Sequence, residues 1–372
     1  MANVAKRPNG RWRARYRDPL GKEHARHFRR KTDAEKWLND VTADLVRGDY
    51  IDPDKSKITI TKLSGPWLNN PEWSATTKAR NKSILKNYVL PHWGEYMLSQ
   101  ITHDDAQEWV NLLPTKLAPR TRRKIFNVLT GIVEAAVTSG RLNRNPIAKV
   151  KLPKAEPVRR RYLTALEVEA LAEASDEYGD IVLTLAYCGL RFGELAALQV
   201  RNVNVDRRRL QIEKSVTEVD GQLVWSAPKT NKHRSVPFPE FLADEIQERC
   251  EGKKLDDPVF TTSRGNVLRI RNARRDWFDL ATQATNLNGL TPHELRHTAA
   301  SLAVAQGASV LAVQRMLGHD KPSTTLDVYS DLFDEDLDDL ADRLTGLRTK
   351  ARADYLRTVD EPNSTGLHVI AL

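Results

Sequence analysis

Only two cysteines, Cys188 and Cys250, occur in 372 residues. A disulfide framework is therefore not in use, and a reducing, cytoplasmic setting is the expectation. Two cysteines and nine scattered histidines offer no zinc spacing, so no metal or other cofactor is expected. Long hydrophobic runs are missing too. The longest apolar stretch, around Ile181–Leu190, is interrupted by Thr184 and Gly189. It falls well short of the roughly 20 residues that span a bilayer, so a membrane is not expected among the partners. The start, MANVAKRPNGRW, is basic but has no apolar segment behind it, which is the pattern expected without a secretory signal. What remains is ordinary globular material, 40% hydrophobic and 29% charged. The length calls for two or three domains.

Positive charge is present, and it is concentrated. The chain carries 58 Lys and Arg against 49 Asp and Glu, a net +9. Residues 1–31 hold eleven of those cations against only Asp18 and Glu23, so this segment alone equals the whole excess. A local basic excess points to a polyanion, with a solvated arm as the alternative. The segment is patterned as well. Arg11, Arg13, Arg15 and Arg17 alternate with Trp12, Ala14 and Tyr16. Period-two alternation places guanidinium groups on one face of a strand and rings on the other. Turn chemistry brackets it, in Pro8-Asn9-Gly10 and in Asp18-Pro19-Leu20-Gly21. A second strand is expected over 24–30, then a helix over 33–47 capped by Thr32, with Glu35 completing a capping box.

Residues 51–60 read as a linker and 61–150 as all-helical, with a break at Asn87–Trp93, a helix start at Thr102 and a long helix over 119–139. Leu152–Arg160 is a basic, proline-bearing linker. Beyond it, an apolar helix over 180–188 is closed by Gly189. Strands are expected over 203–206, 209–215 and 223–226, and a hairpin tip over 228–236. Helices resume near Phe238, and residues 346–372 are expected to be a poorly ordered tail.

Four separated motifs in the second half resemble the tyrosine recombinases of the phage integrase family. Gly189-Leu190-Arg191-Phe192-Gly193-Glu194-Leu195 is similar to their first-arginine motif. Pro228-Lys229-Thr230 with Arg234-Ser235-Val236-Pro237 resembles their lysine hairpin. His293-Glu294-Leu295-Arg296-His297-Thr298 resembles the histidine–arginine box. Leu317-Gly318-His319, then Thr324-Thr325 and Tyr329, resembles the segment that carries the last histidine and the nucleophile. Each motif alone is weak; four in this order are specific. The basic N-terminal segment resembles the small three-stranded arm-binding domains of many phage integrases.

The resemblance implies transesterification at a DNA phosphodiester, and the residue types suit that chemistry. Tyr329 would attack phosphorus and form a 3′-phosphotyrosine that conserves the bond energy. A phenol, with a reference pKa of about 10, needs cationic neighbours to react at neutral pH. Arg191 and Arg296 would clamp the scissile phosphate, because a guanidinium fork can contact two phosphate oxygens and stays charged. Lys229 would protonate the leaving 5′-oxygen, with Lys232 its rival on the same loop. His293 and His319 would each hydrogen-bond the phosphate or exchange a proton with Tyr329, and either histidine fits either task. His293 and Arg296 are three apart on a helix started by Thr291, Pro292 and Glu294, while His297 is expected to point elsewhere. Glu194 would support a cationic neighbour or form a surface pair.

The expected architecture is multidomain: an arm-type DNA-binding domain of small α/β type (1–60), a helical core-binding domain (61–153) and a mainly α catalytic domain with a small antiparallel sheet (160–345), then the tail. By the resemblance, partners are double-stranded DNA at core and arm sites, three further protomers in a homotetramer, a host DNA-bending protein and an excisionase. The amphipathic stretch Asp331–Leu344, with Leu332, Phe333, Leu337, Leu340 and Leu344 on one stripe, would pack on its own domain or on a neighbouring protomer. Two other readings stand beside this one: a type IB topoisomerase, and a DNA-binding protein whose catalytic residues are relics.

Overall fold

The computed structural model describes residues 2–48, 50–156, 161–228, 233–333 and 336–360, with only the backbone for 330–333, 336–340 and 358–360. The chain separates into two compact units, Met1–Pro157 and Val158–Leu372.

The first unit opens with β1 (Asn3–Lys6), β2 (Trp12–Arg17) and β3 (Glu23–Phe28), an antiparallel sheet in that order. The alternation in β2 settles which face is which. Ala14 and Tyr16 are buried against Ala34 and Leu38 of α1 (Lys31–Arg47), while Arg15 and Arg17 are exposed on the opposite face. α1 starts a residue or two earlier than its Thr32 signal. Arg30 has the extended backbone of a helix-preceding residue, without a side-chain cap, and Thr32 lies inside the first turn. The Asp18 carboxylate, almost fully enclosed, accepts from the backbone N–H of Leu20 and Lys22 and meets the His24 ring at 2.9 Å. It ties the β2–β3 turn to the strands that carry the arginines.

Helices follow: α2 (Ile60–Leu68), α3 (Ala75–Ile84), α4 (Leu90–Trp93), α5 (His103–Leu112) and α6 (Pro119–Thr138). Their apolar faces meet in one core that includes Trp93, Trp109, Phe126, Leu129 and Ile132. The expected break at Asn87–Trp93 does not occur. A π-helical turn, Leu85–Val89, joins α3 to α4 and lets the chain stay helical into Pro91. The wider turn absorbs a register in which proline offers no N–H.

The second unit runs α7 (Ala165–Glu173), α8 (Gly179–Cys188) and α9 (Phe192–Leu195). Five strands follow: β4 (Val203–Asn204), β5 (Arg209–Ile212), β6 (Ser215–Val219), β7 (Gln222–Ser226) and β8 (Arg234–Pro237). β4, β5 and β8 form one antiparallel sheet, and β6–β7 is a separate hairpin. Its second strand matches the one expected over 223–226, whereas β6 and the turn at Asp220-Gly221, with both residues at positive φ, are not among the expected elements. The remaining helices are α10 (Ala243–Cys250), α11 (Ile270–Ala273), α12 (Asp279–Ala284), α13 (Pro292–Ala305), α14 (Val310–Leu317), α15 (Pro322–Phe333) and α16 (Asp336–Asp360). α16 corrects the expectation of a poorly ordered tail, since it carries helix through residues 346–360. That stretch is rich in Leu, Arg, Ala and Lys and meets no proline before Pro362. The stripe residues Leu332, Phe333, Leu337 and Leu340 have no described side chains, and Leu344 is exposed. Among the described residues no helix is long and apolar enough to cross a membrane.

Candidate active site

Two glycine turns bring three sequence-distant segments together. α8 ends at Gly189, whose φ of +65° closes the helix, and α14 ends at Gly318, with φ +67°. The turns are pressed against neighbours. A Cβ on Gly189 would come within 2.7 Å of Leu317 Cδ2, and one on Gly318 within 2.7 Å of Arg234 Cδ. Between the turns lies Arg296 of α13, only 2% exposed. Its Nη1 donates to Gly189 O and its Nη2 to Leu317 O, each at 2.5 Å. One side chain thus ties the segment leading to Arg191 to the segment leading to His319. Two of its five N–H groups are used, and three remain. Burial and the adjacent Arg191 charge lower its pKa to about 9, which still leaves a cation at neutral pH.

Glu194 is the electrostatic centre. Its carboxylate, 1% exposed, accepts from Arg191 N–H at 3.0 Å and from Arg191 Nη1 at 2.7 Å. It also takes a fork from Arg234, Nη1 at 3.1 Å and Nη2 at 2.6 Å. Burial alone would raise its pKa, but the Arg234 bonds and the Arg191 charge outweigh it and hold the carboxyl down to about 2. The surface-pair reading of Glu194 is therefore wrong: the side chain is enclosed because two guanidinium groups neutralise it. Arg234, at the first position of β8, also donates from Nε to Met316 O at 3.1 Å. Three guanidinium groups around one carboxylate leave a cationic surplus suited to an anion. Glu194, engaged on both oxygens, is not placed to ligate a metal.

His319 lies within this field. Burial, then Arg296, Arg191 and Arg234, push its pKa down to about 4, so it is neutral at pH 7. Its Nδ1 is 2.9 Å from Oγ1 of the buried Thr325. Tyr329, 1% exposed, packs beside it, the two rings nearly parallel at 12° and 6.4 Å apart. The Tyr329 hydroxyl meets His297 Nδ1 at 2.8 Å. His297 therefore does not point elsewhere. His293 and His297 are four apart on α13, one turn of helix, and their rings are 5.0 Å apart. His293 itself is exposed. α13 starts as expected, with Glu294 accepting from Thr291 N–H at 2.7 Å.

Of the six residues expected to carry the chemistry, Arg191, Arg296, His319 and Tyr329 converge. His293 sits at their margin, and Lys229, with its rival Lys232, lies outside the described residues. Glu194 joins them. Two participants were missed. In the sequence Arg234 stands out only as part of the lysine-hairpin motif, and the three-residue spacing of His293 and Arg296 points away from His297. The buried Cys188 thiol is no rival nucleophile, since burial pushes it up to about 12. In the first unit Arg11, Arg15 and Arg17 are exposed, while Arg13 and Arg15 share Glu23, at 2.9 and 3.6 Å.

The Arg234 fork is testable through stability. Arg234→Met keeps the aliphatic stem and leaves Glu194 with Arg191 alone. Removing one partner of a buried pair costs about 3 kcal/mol, so the urea midpoint should fall clearly. A shift within error would mean that Arg191 alone neutralises Glu194.

Comparison with known proteins agrees with this geometry. The phage integrase family model matches residues 161–336, the phage integrase N-terminal domain model residues 2–47, and the phage integrase N-terminal SAM-like domain model residues 59–113. The prophage phiRv2 integrase of Mycobacterium tuberculosis is 24% identical over 338 residues, 86% of this chain and 88% of that protein. Tyrosine recombinase XerC of Corynebacterium efficiens is 30% identical over 202 residues, 51% of this chain and 60% of that one. Among solved structures, the Tn1549 transposon integrase in complex with circular intermediate DNA superposes with a TM-score of 0.64 at 18% identity, over 73% of this chain and 95% of that one. A lambda integrase tetramer bound to a Holliday junction gives 0.57 at 21% identity, over 86% and 96%. With family models along both units and the arginines gathered beside Tyr329, the chain belongs to the phage integrase family and is a tyrosine-type site-specific recombinase.

Proposed function

We propose that this recombinase integrates, and also excises, a mobile DNA by cutting and rejoining duplexes through a 3′-phosphotyrosyl bond on Tyr329 and a Holliday junction. The observation that carries the reading is the cationic cluster of Arg191, Arg234 and Arg296 around the buried Glu194, set beside Tyr329. In this reading Arg191 and the remaining donors of Arg296 hold the non-bridging oxygens of the scissile phosphate and stabilise the charge that grows on them. Neutral His319, in the tautomer whose Nδ1 accepts from Thr325, carries its N–H on Nε2 and can donate a hydrogen bond from it to the phosphate. Lys229 protonates the departing 5′-oxygen. No metal or cofactor is assigned a step.

The modules proposed are an arm-site reader over 1–60, a core-binding domain over 61–153 and the catalytic domain over 160–345. Four protomers act together on two core sites in the bacterial cytoplasm. The lambda integrase tetramer on its junction supports that assembly. A host DNA-bending protein and an excisionase would set the direction. Arg11, Arg13, Arg15 and Arg17 approach DNA from the exposed face of the N-terminal sheet, and a separate reader of this kind favours an integrase over a simple topoisomerase.

Footprinting of the full chain tests this division. Two protected regions of unrelated sequence should appear. Replacing the four arginines by alanine should erase one region and leave the other, and wild-type binding at the erased region should fall with salt at a log–log slope of roughly 0.9 per phosphate contact. A single footprint, or loss of both regions together, would overturn the two-site arrangement.

A further inference from the structure

The histidine in contact with the nucleophile is not one of the two that the family resemblance points to. His297 Nδ1 lies 2.8 Å from the Tyr329 hydroxyl, with the rings 5.6 Å apart and inclined at 60°, an edge-on approach that directs a ring nitrogen at the oxygen. His319 is oriented differently. It lies nearly parallel to the phenol at 12°, and its Nδ1 is engaged with Thr325 at 2.9 Å. His293 is exposed and meets the edge of the His297 ring. Arg296 and Arg191 stabilise a phenolate but, as cations, cannot take its proton. A phenol near neutral pH carries that proton and must lose it as it attacks.

We propose that His297 is a catalytic residue, the base that takes the phenolic proton of Tyr329 during cleavage and returns it during rejoining. The inference rests on Tyr329 being the nucleophile. In cleavage the Tyr329 O–H bond breaks and its proton moves to Nδ1 of a neutral imidazole, giving an imidazolium. The Tyr329 oxygen bonds to phosphorus, the bond from phosphorus to the 5′-oxygen breaks, and that oxygen takes a proton from a separate acid, Lys229 in the reading above. Rejoining reverses each transfer. The site can begin the step without a water molecule, because donor and acceptor are already within hydrogen-bond distance.

The test measures covalent adduct formation by the full chain on a nicked core-site duplex in a single turnover. Three proteins are compared, the wild type, His297→Ala and His297→Gln, each with tyrosine or with the more acidic 3,5-difluorotyrosine at position 329. Core-site binding, followed in parallel, reports folding, and His297→Gln stands in if His297→Ala does not fold. Both variants should lose about 10²-fold or more in rate. Difluorotyrosine should restore much of that loss in the variants while changing the wild type little. Glutamine can accept the hydrogen bond but cannot take the proton. A wild-type rate in His297→Gln would therefore overturn the proposal, as would a deficit that difluorotyrosine leaves intact. The nucleophile reading fails by a different signal, a wild-type adduct that maps to a residue other than Tyr329.

Discussion

Tyr329→Phe should fold and bind core-site DNA like the wild type and form no covalent adduct. The substitution removes one oxygen and leaves the ring packed against His319 and Tyr162, whose ring centroids lie 6.4 and 6.5 Å away. The hydroxyl's bond to His297 is lost, which costs about 1 kcal/mol of stability. The chemical loss should be total, because the attack is assigned to the Tyr329 hydroxyl alone. Cys188 is buried with a raised pKa, and the Thr325 hydroxyl is engaged with His319. The wild type supplies the positive result. On a core site nicked close to the scissile bond, the short fragment with the 5′-hydroxyl diffuses away and religation fails. The protein should stay on the DNA through denaturant, be released by protease, and map by mass to the Tyr329 peptide. Strand cleavage by the phenylalanine variant, or an adduct on Tyr187 or Tyr355, would refute the assignment.

How far the site could be read from sequence depends on the distance over which each interaction acts. Arg191, Arg296, His319 and Tyr329 were legible because each sits in a short motif whose spacing survives without tertiary information. So was the start of α13, where Thr291 and Glu294 are three residues apart and close their own hydrogen bond. Arg234 and His297 escaped because their roles are made across the chain, to Glu194 forty residues earlier and to Tyr329 thirty-two residues later. Glu194 illustrates the same limit. An acid three residues after an arginine is a common surface pair, and only the arrival of β8 encloses it.

Local patterns misled where two of them competed. Pro91 suggested a helix break, yet the apolar spacing of Leu85, Val89 and Trp93 prevailed, and a π-helical turn accommodates both. In the N-terminal sheet the period-two pattern prevailed outright, because buried Ala14 and Tyr16 leave the arginines only one face to occupy. The strand β1, which pairs Ala5 with Arg13 and Asn3 with Arg15, is short and polar and was invisible to the same reasoning.

Lys229→Ala should slow cleavage by about 10²- to 10⁴-fold, the range for a positioned general acid, and a 5′-bridging sulfur should restore most of the rate. An alkoxide is a poor leaving group and needs a proton as the bond to phosphorus breaks. A thiolate, whose parent thiol has a pKa near 8.5, leaves without one. A lysine ammonium at its ordinary pKa is fully charged at pH 7 and can supply that proton. β7 ends at Ser226 and β8 begins at Arg234. Arg234, the first residue of β8, is fixed to Glu194 and to Met316 O, and Glu194 also holds Arg191. Lys229 itself lies outside the described residues, and its assignment rests on the resemblance of Pro228-Lys229-Thr230 to the lysine hairpin. Lys232→Ala serves as the internal control and should cleave at close to the wild-type rate. Sulfur rescue of the Lys232 variant instead would move the assignment three residues along the loop. Rescue of neither would show that the proton comes from elsewhere, and the neutral His319, with its pKa held at about 4, would be a poor substitute.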